Sequence, residues 1–182
     1  VPDHNANQRR LCGTLANLRR YDEAQPWCDR AWEADRSWMN AYAMLGVVMG
    51  VEFERPDGAA TQRATDAVSL IVSDPLADGD ALNAACQVAF LAQHFDVFER
   101  CSHRMESMAP DMPATWYYAF VIDMAYERLD EAAEDIDRAE AAGMPADQVA
   151  AMRDNVQDEE PVLSTIAPVA LAGLAAWAAV FL

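Results

Sequence analysis

The chain contains no lysine: its 13 basic residues are all arginine, against 30 Asp and Glu, and its formal net charge is −17. Phosphate backbones need clustered cations, so nucleic acid is not an expected partner. Histidine is nearly absent too, with only His4, His94 and His103. No Gly-rich phosphate loop, nucleophile elbow or HExxH motif is present. Cys101 and His103 stand two apart, which on a helix turns them to different sides, and no paired CxxC exists. The acidic run Asp158-Glu159-Glu160 lacks the alternating ligands of a calcium loop. A non-enzymatic chain without cofactor or metal is therefore expected. Strand-like alternation is missing as well, which excludes a sheet and leaves the helical period as the organising signal.

Apolar spacing is helical from residue 5 to 158, punctuated by Arg20-Tyr21-Asp22, Arg55-Pro56-Asp57-Gly58, Ser73-Asp74-Pro75, His94-Phe95-Asp96, Ala109-Pro110-Asp111, Leu129-Asp130 and Gly143-Met144-Pro145. The spacing predicts helices over 5–18, 22–35, 39–51, 59–72, 79–93, 96–108, 113–128, 130–142 and 146–158. Pro26 is expected in the first turn of the second, where its missing N–H matters little. Glu134 and Arg138 form a four-apart pair of the ordinary surface kind. Charge is uneven: residues 1–36 are neutral, whereas residues 127–160 carry three Arg and twelve acids, net −9.

The last run, Val162 to Leu182, holds 21 residues and no charge. A helix of about 20 apolar residues spans a hydrocarbon core of roughly 30 Å. The expected organisation is therefore a soluble domain, 1–160, followed by a C-terminal single-pass transmembrane helix, 161–182. The alternatives are a fully buried bundle helix and a lipid-attachment signal. Small residues four apart, Ala172 with Ala176, Ala175 with Ala179, and Gly173 beside them, would let another membrane helix approach closely. The acidic segment before this run would be repelled by an anionic leaflet.

The turns repeat. Tyr21-Asp22-Glu23-Ala24, Phe95-Asp96-Val97-Phe98 and Leu129-Asp130-Glu131-Ala132 read alike, and Phe95 to Leu129 is 34 residues. Tyr21 to Phe95 is 74, one such unit plus one lengthened by an insertion over Gly50–Gly58. Pro75, Pro110 and Pro145 stand 35 apart. The units offer Leu11, Cys12, Leu15, Ala24, Cys28 and Ala31; then Tyr42, Leu45, Gly46 and Met49; then Leu82, Ala85, Cys86, Ala89, Phe98, Met105 and Pro110; then Trp116, Ala119, Phe120, Ala132, Ile136 and Ala139. This pattern over residues 5–145 resembles the tetratricopeptide repeat. The resemblance implies an all-α solenoid of about four helical hairpins with a capping helix over 146–158. A single hairpin cannot bury its apolar face, and stacked ones can. The alternative is an irregular helical bundle. Phe98 stands where the family has Ala, and Phe120 where it has Gly, which implies looser or shifted packing there.

The resemblance also implies a concave partner groove lined by the first helix of each unit: Arg9 and Asn17, Met44 and Val47 with Ala43, Asn83, Gln87 and Phe90, and Tyr117, Val121 and Met124. The alternative is that these residues pack against neighbouring helices. Cys12 and Cys28 lie 16 apart and Cys86 and Cys101 15 apart, one cysteine per helix of a hairpin. Antiparallel helices bring such residues within disulfide reach, and four buried thiols are the alternative. The expected function is an interaction scaffold, an accessory or assembly subunit of a larger membrane complex. Its partners would be membrane protein subunits and the lipid bilayer. The acidic membrane-proximal segment and the paired cysteines point to the non-cytoplasmic (periplasmic) side. A tail-anchored adaptor recruiting soluble proteins or chaperones is the other reading.

Overall fold

A computed structural model describes residues 3–54 and 64–157. Among the described residues the chain is all helical, with no strand. The helices are α1 (Asp3–Asn17), α2 (Tyr21–Ala34), α3 (Trp38–Glu54), α4 (Thr65–Ser73), α5 (Gly79–Leu91), α6 (Phe95–Met108), α7 (Pro113–Ala125), α8 (Leu129–Ala141) and α9 (Ala146–Gln157). The first five residues of the helix expected over 59–72 lie outside the described residues. The expected transmembrane helix, with Ala172, Gly173, Ala176 and Ala179, lies outside them too. Among the described residues no helix is long and apolar enough to cross a membrane. Two compact units divide between Met108 and Ala109.

The hairpins α1/α2, α5/α6 and α7/α8 close in the same way. The first helix of each ends on a left-handed residue that is not glycine: Arg19 (φ 56°), Gln93 (φ 57°) and Glu127 (φ 57°). The next residue's N–H reaches back five positions, Arg20 to Leu15 O, His94 to Ala89 O and Arg128 to Asp123 O, each at 2.9 Å. The left-handed residue itself donates three back, to Ala16, Phe90 and Met124. Together these bonds satisfy the last carbonyls of the helix and turn the chain sharply. Gly143 (φ 94°) makes the same cap between α8 and α9, with Met144 donating to Ala139 O. The caps at 93 and 127 stand 34 apart, and those at 19 and 93 stand 74 apart.

In the first unit, α1 and α2 meet through Cys12, Ala16, Ala24, Cys28 and Ala31, all buried. Such small side chains let the helices approach closely. Leu11 is 42% exposed, since no described element covers that side of α1. Helix α2 begins at Tyr21, so Pro26 is its sixth residue and lies in its second turn. Proline has no N–H to offer the Asp22 carbonyl four residues back, and both residues are exposed. Asn40, 1% exposed at the start of α3, ties three elements together. Its amide donates to Asp35 O (2.7 Å), Asn5 Oδ1 (3.0 Å) and Ala31 O (3.2 Å), and Asn5 donates to the same Ala31 carbonyl at 2.8 Å.

Helix α5 is started by Asp78, whose carboxylate accepts from the Ala81 N–H at 2.9 Å. It packs on α6 through Leu82, Ala85, Cys86 and Ala89 against Phe98, Cys101 and Met105. Phe98 is 1% exposed, its ring 5.2 Å from that of Phe90, so the large residue is accommodated as an aromatic contact. Arg104 reaches from α6 to the end of α4, donating to Ile71 O (2.9 Å) and Val72 O (2.8 Å).

In the second unit Pro113 opens α7, where a missing N–H costs nothing. Thr115 Oγ1 and Trp116 Nε1 donate to Ala109 O and Pro110 O, fastening the preceding turn. Phe120 and Ile136 are both 2% exposed at the α7/α8 contact. Val149 and Met152 bury the inner side of α9.

Candidate interaction surfaces

The groove residues fall into groups that the fold treats differently. Arg9 is half-buried, and its guanidinium donates to Asn40 Oδ1 at 3.3 Å, joining α1 to α3. Asn17 is exposed at the end of α1. Met44 and Val47 come together in a cleft between α2 and α3, whose other walls are Gln25, Cys28, Asp29, Trp32, Val48 and Val51. Val47 is 3% exposed, whereas Trp32, Met44 and Val51 are half-buried and supply apolar surface to the cleft.

On α5, Asn83, Gln87 and Phe90 follow one another at four and three residues and so share one side of the helix. Asn83 is buried, whereas Gln87 and Phe90 are half-buried. Tyr42 of α3 is near the start of this helix. Burial and then the negative charges of Asp80 and Asp78 push its phenol up. On α7, Tyr117, Val121 and Met124 share a side in the same manner. Val121 and Met124 are buried, and Tyr117 is half-buried, its phenol pushed up to about 12 by burial. Its ring stands 6.1 Å from Tyr118 and 6.5 Å from Phe120. The side chains with accessible surface are thus Arg9, Asn17, Met44, Gln87, Phe90 and Tyr117; those of Val47, Asn83, Val121 and Met124 are taken up inside the fold.

The four cysteines form two bonds, Cys12–Cys28 with Cα atoms 5.0 Å apart and Cys86–Cys101 with Cα atoms 5.5 Å apart. Each clips the two helices of one hairpin. Cys12 and Cys86 both stand nine residues before the residue that opens the second helix, Tyr21 or Phe95. The residue nine before Leu129 is Phe120, which packs at that place by burial alone.

Among the described residues no three His, Cys, Asp or Glu side chains gather as a metal site. Three polar features were not anticipated. Arg104 carries no local sequence signal, because the carbonyls it bonds lie 33 and 32 residues away, and Asn40 joins the nearby Asp35 to Asn5, 35 residues away. Asp135 did carry one: it interrupts the apolar stripe Ala132, Ile136, Ala139 of α8 and is itself 2% exposed. Comparison with family models, with curated proteins and with solved structures found no match for the chain.

Proposed function

We propose that this chain is a non-enzymatic protein–protein interaction scaffold, tetratricopeptide-like in its helical body. In this reading it is an accessory or assembly subunit of a larger membrane protein complex. The observation that carries it is the recurrence of one hairpin, with the same left-handed cap and the same backbone bonds, at an interval of 34 residues. Repeated hairpins expose first-helix side chains, and here these are apolar or aromatic with an amide: Met44, Gln87 and Phe90 in the first unit, and Tyr117 in the second. Side chains of this kind suit a bound protein segment. The uncharged run Val162–Leu182 supplies the tether, which raises the effective concentration of the body near membrane partners. Ala172, Gly173, Ala176 and Ala179 are its contact with a partner helix.

The two hairpin disulfides support a non-cytoplasmic location, since such bonds persist in oxidising compartments. The same observation weighs against an adaptor facing the cytoplasm. Cross-linking in the native membrane, followed by mass-spectrometric identification of the attached chains, tests the proposal. Links from α5 and α7 to integral membrane subunits are expected. Recovery of the chain with soluble chaperones alone would replace the subunit reading with the adaptor.

A further inference from the structure

The cleft between α2 and α3 is lined in part by Cys28, and Cys28 is half of the Cys12–Cys28 bond. The cavity holds about 160 Å³. Space of that size takes a molecule as large as benzene. Around it Gln25, Trp32, Met44 and Val51 are half-buried and Asp29 is exposed, so the cleft opens to solvent. Met44 is unbranched, and its side chain gives way at low cost.

The other hairpin bond is differently placed. Cys86 and Cys101 are both 0% exposed. The cavity between α4, α5 and α6, lined by Val68, Val88, Ala89 and Val97 among others, holds only about 10 Å³ and touches neither cysteine. In their sulfur surroundings the two bonds match. Cys12 Sγ lies 3.3 Å from Ala43 O, and Cys101 Sγ lies 3.2 Å from Leu82 O. Each bond therefore has one sulfur beside a carbonyl that a released thiol can use as acceptor.

We propose that Cys28 is a modification site: a low-molecular-weight thiol enters the α2/α3 cleft and forms a mixed disulfide with it. The attacking thiolate sulfur bonds to Cys28 Sγ, the Cys12–Cys28 bond breaks, and its electron pair leaves on Cys12 Sγ. That sulfur takes a proton from water, replacing the one the attacking thiol gave up, and the new thiol donates to Ala43 O. One disulfide is exchanged for another, with no net oxidation or reduction. Exchange needs a thiolate and access to the sulfur it attacks. The same reagent supplies the thiolate to both bonds, so access decides between them. The adduct fills the cleft beside Trp32 and Met44. Under the scaffold reading it blocks that part of the partner surface, but the exchange itself stands without that reading.

Brief treatment of the full folded chain with mercaptoethanol, quenching by alkylation and peptide mass mapping test the site. The adduct is expected on Cys28, with Cys12 alkylated, while Cys86 and Cys101 remain joined. Equal loss of both bonds, earlier loss of Cys86–Cys101, or an adduct on Cys12 instead overturns the proposal. A thiol carried on a dendrimer too bulky for the cleft should leave Cys12–Cys28 intact. Cleavage as fast as with mercaptoethanol would mean that opening of the hairpin exposes the sulfur, and the cleft would lose its role. Val51→Phe narrows the cleft and should slow the adduct several-fold; an unchanged rate counts against this route. Should that variant not fold, the dendrimer comparison on the wild-type chain decides.

Discussion

The ring of Tyr21 lies over Gly50: a Cβ placed on Gly50 would meet the edge of that ring, 2.6 Å from its Oη. Tyr21 opens α2 and is buried, so α3 can pass beneath it only where α3 has no side chain. Gly46, one turn earlier in α3, has nothing within 4 Å of its Cβ direction. The two glycines should therefore respond oppositely to alanine. Gly50→Ala is expected to cost about 1–3 kcal/mol by overpacking. Gly46→Ala should gain up to about 1 kcal/mol of helix propensity. Chemical denaturation of the two variants checks the pair, and Tyr21→Ala should relieve most of the Gly50→Ala cost in a double-mutant cycle.

The hairpin caps offer a second comparison. Gln93 and Glu127 hold left-handed backbone with a side chain in the way, which costs roughly 1 kcal/mol relative to glycine. Gln93→Gly and Glu127→Gly should each raise the midpoint of unfolding by a comparable amount. Gly143→Ala, at φ 94°, should lower it. Equal and opposite shifts would mean that the caps are energetically alike.

Arg104 satisfies two carbonyls at the end of α4. Arg104→Met keeps the stem and removes the donors. It should destabilise the first unit by about 2 kcal/mol, the range for bonds from a charged group. Arg104→Lys, with a single ammonium at the helix C-terminus, should fall between. Exchange protection of the α4 amides should drop first, since their end becomes uncapped.

Reduction of the disulfides should destabilise the first unit alone. Each bond closes a loop of 16 or 15 residues, worth about 3 kcal/mol in the chain-entropy account. Intact-mass analysis should show four hydrogens gained on reduction. Thermal unfolding with and without reductant should show a lowered transition that α7, α8 and α9 do not share.

Most of the helical body was readable from spacing and turns. Eight of the expected helices overlap the observed ones with ends moved by up to three residues, and the ninth is described only from Ala64 on. The hairpin ends moved for a definite reason: Arg19, Gln93 and Glu127 are not glycine, so nothing in the residue type marked them as left-handed caps, and the first helices were read as running on to 18, 93 and 128. Pro26 falls in the second turn rather than the first, as the sixth residue of a helix that starts on Tyr21. The candidate groove was legible only as a register. Which of its members keep accessible surface depends on what covers them, and that is set by distant residues such as Asn40, which draws Arg9 inward. Asp135 interrupts an apolar stripe, and its burial at 2% exposure, with Arg138 one turn on donating to its carboxylate, emerges only in the packed hairpin.

The two disulfides have a mechanical consequence. A force drawing the ends of the first unit apart cannot extend the chain between Cys12 and Cys28, or between Cys86 and Cys101. About 100 Å of contour, at roughly 3.4 Å per residue, is thereby withheld from any stretch. Under load this unit would yield at its connectors while the clipped hairpins keep their folded loops, and the second unit, without such clips, could be drawn out along its whole length.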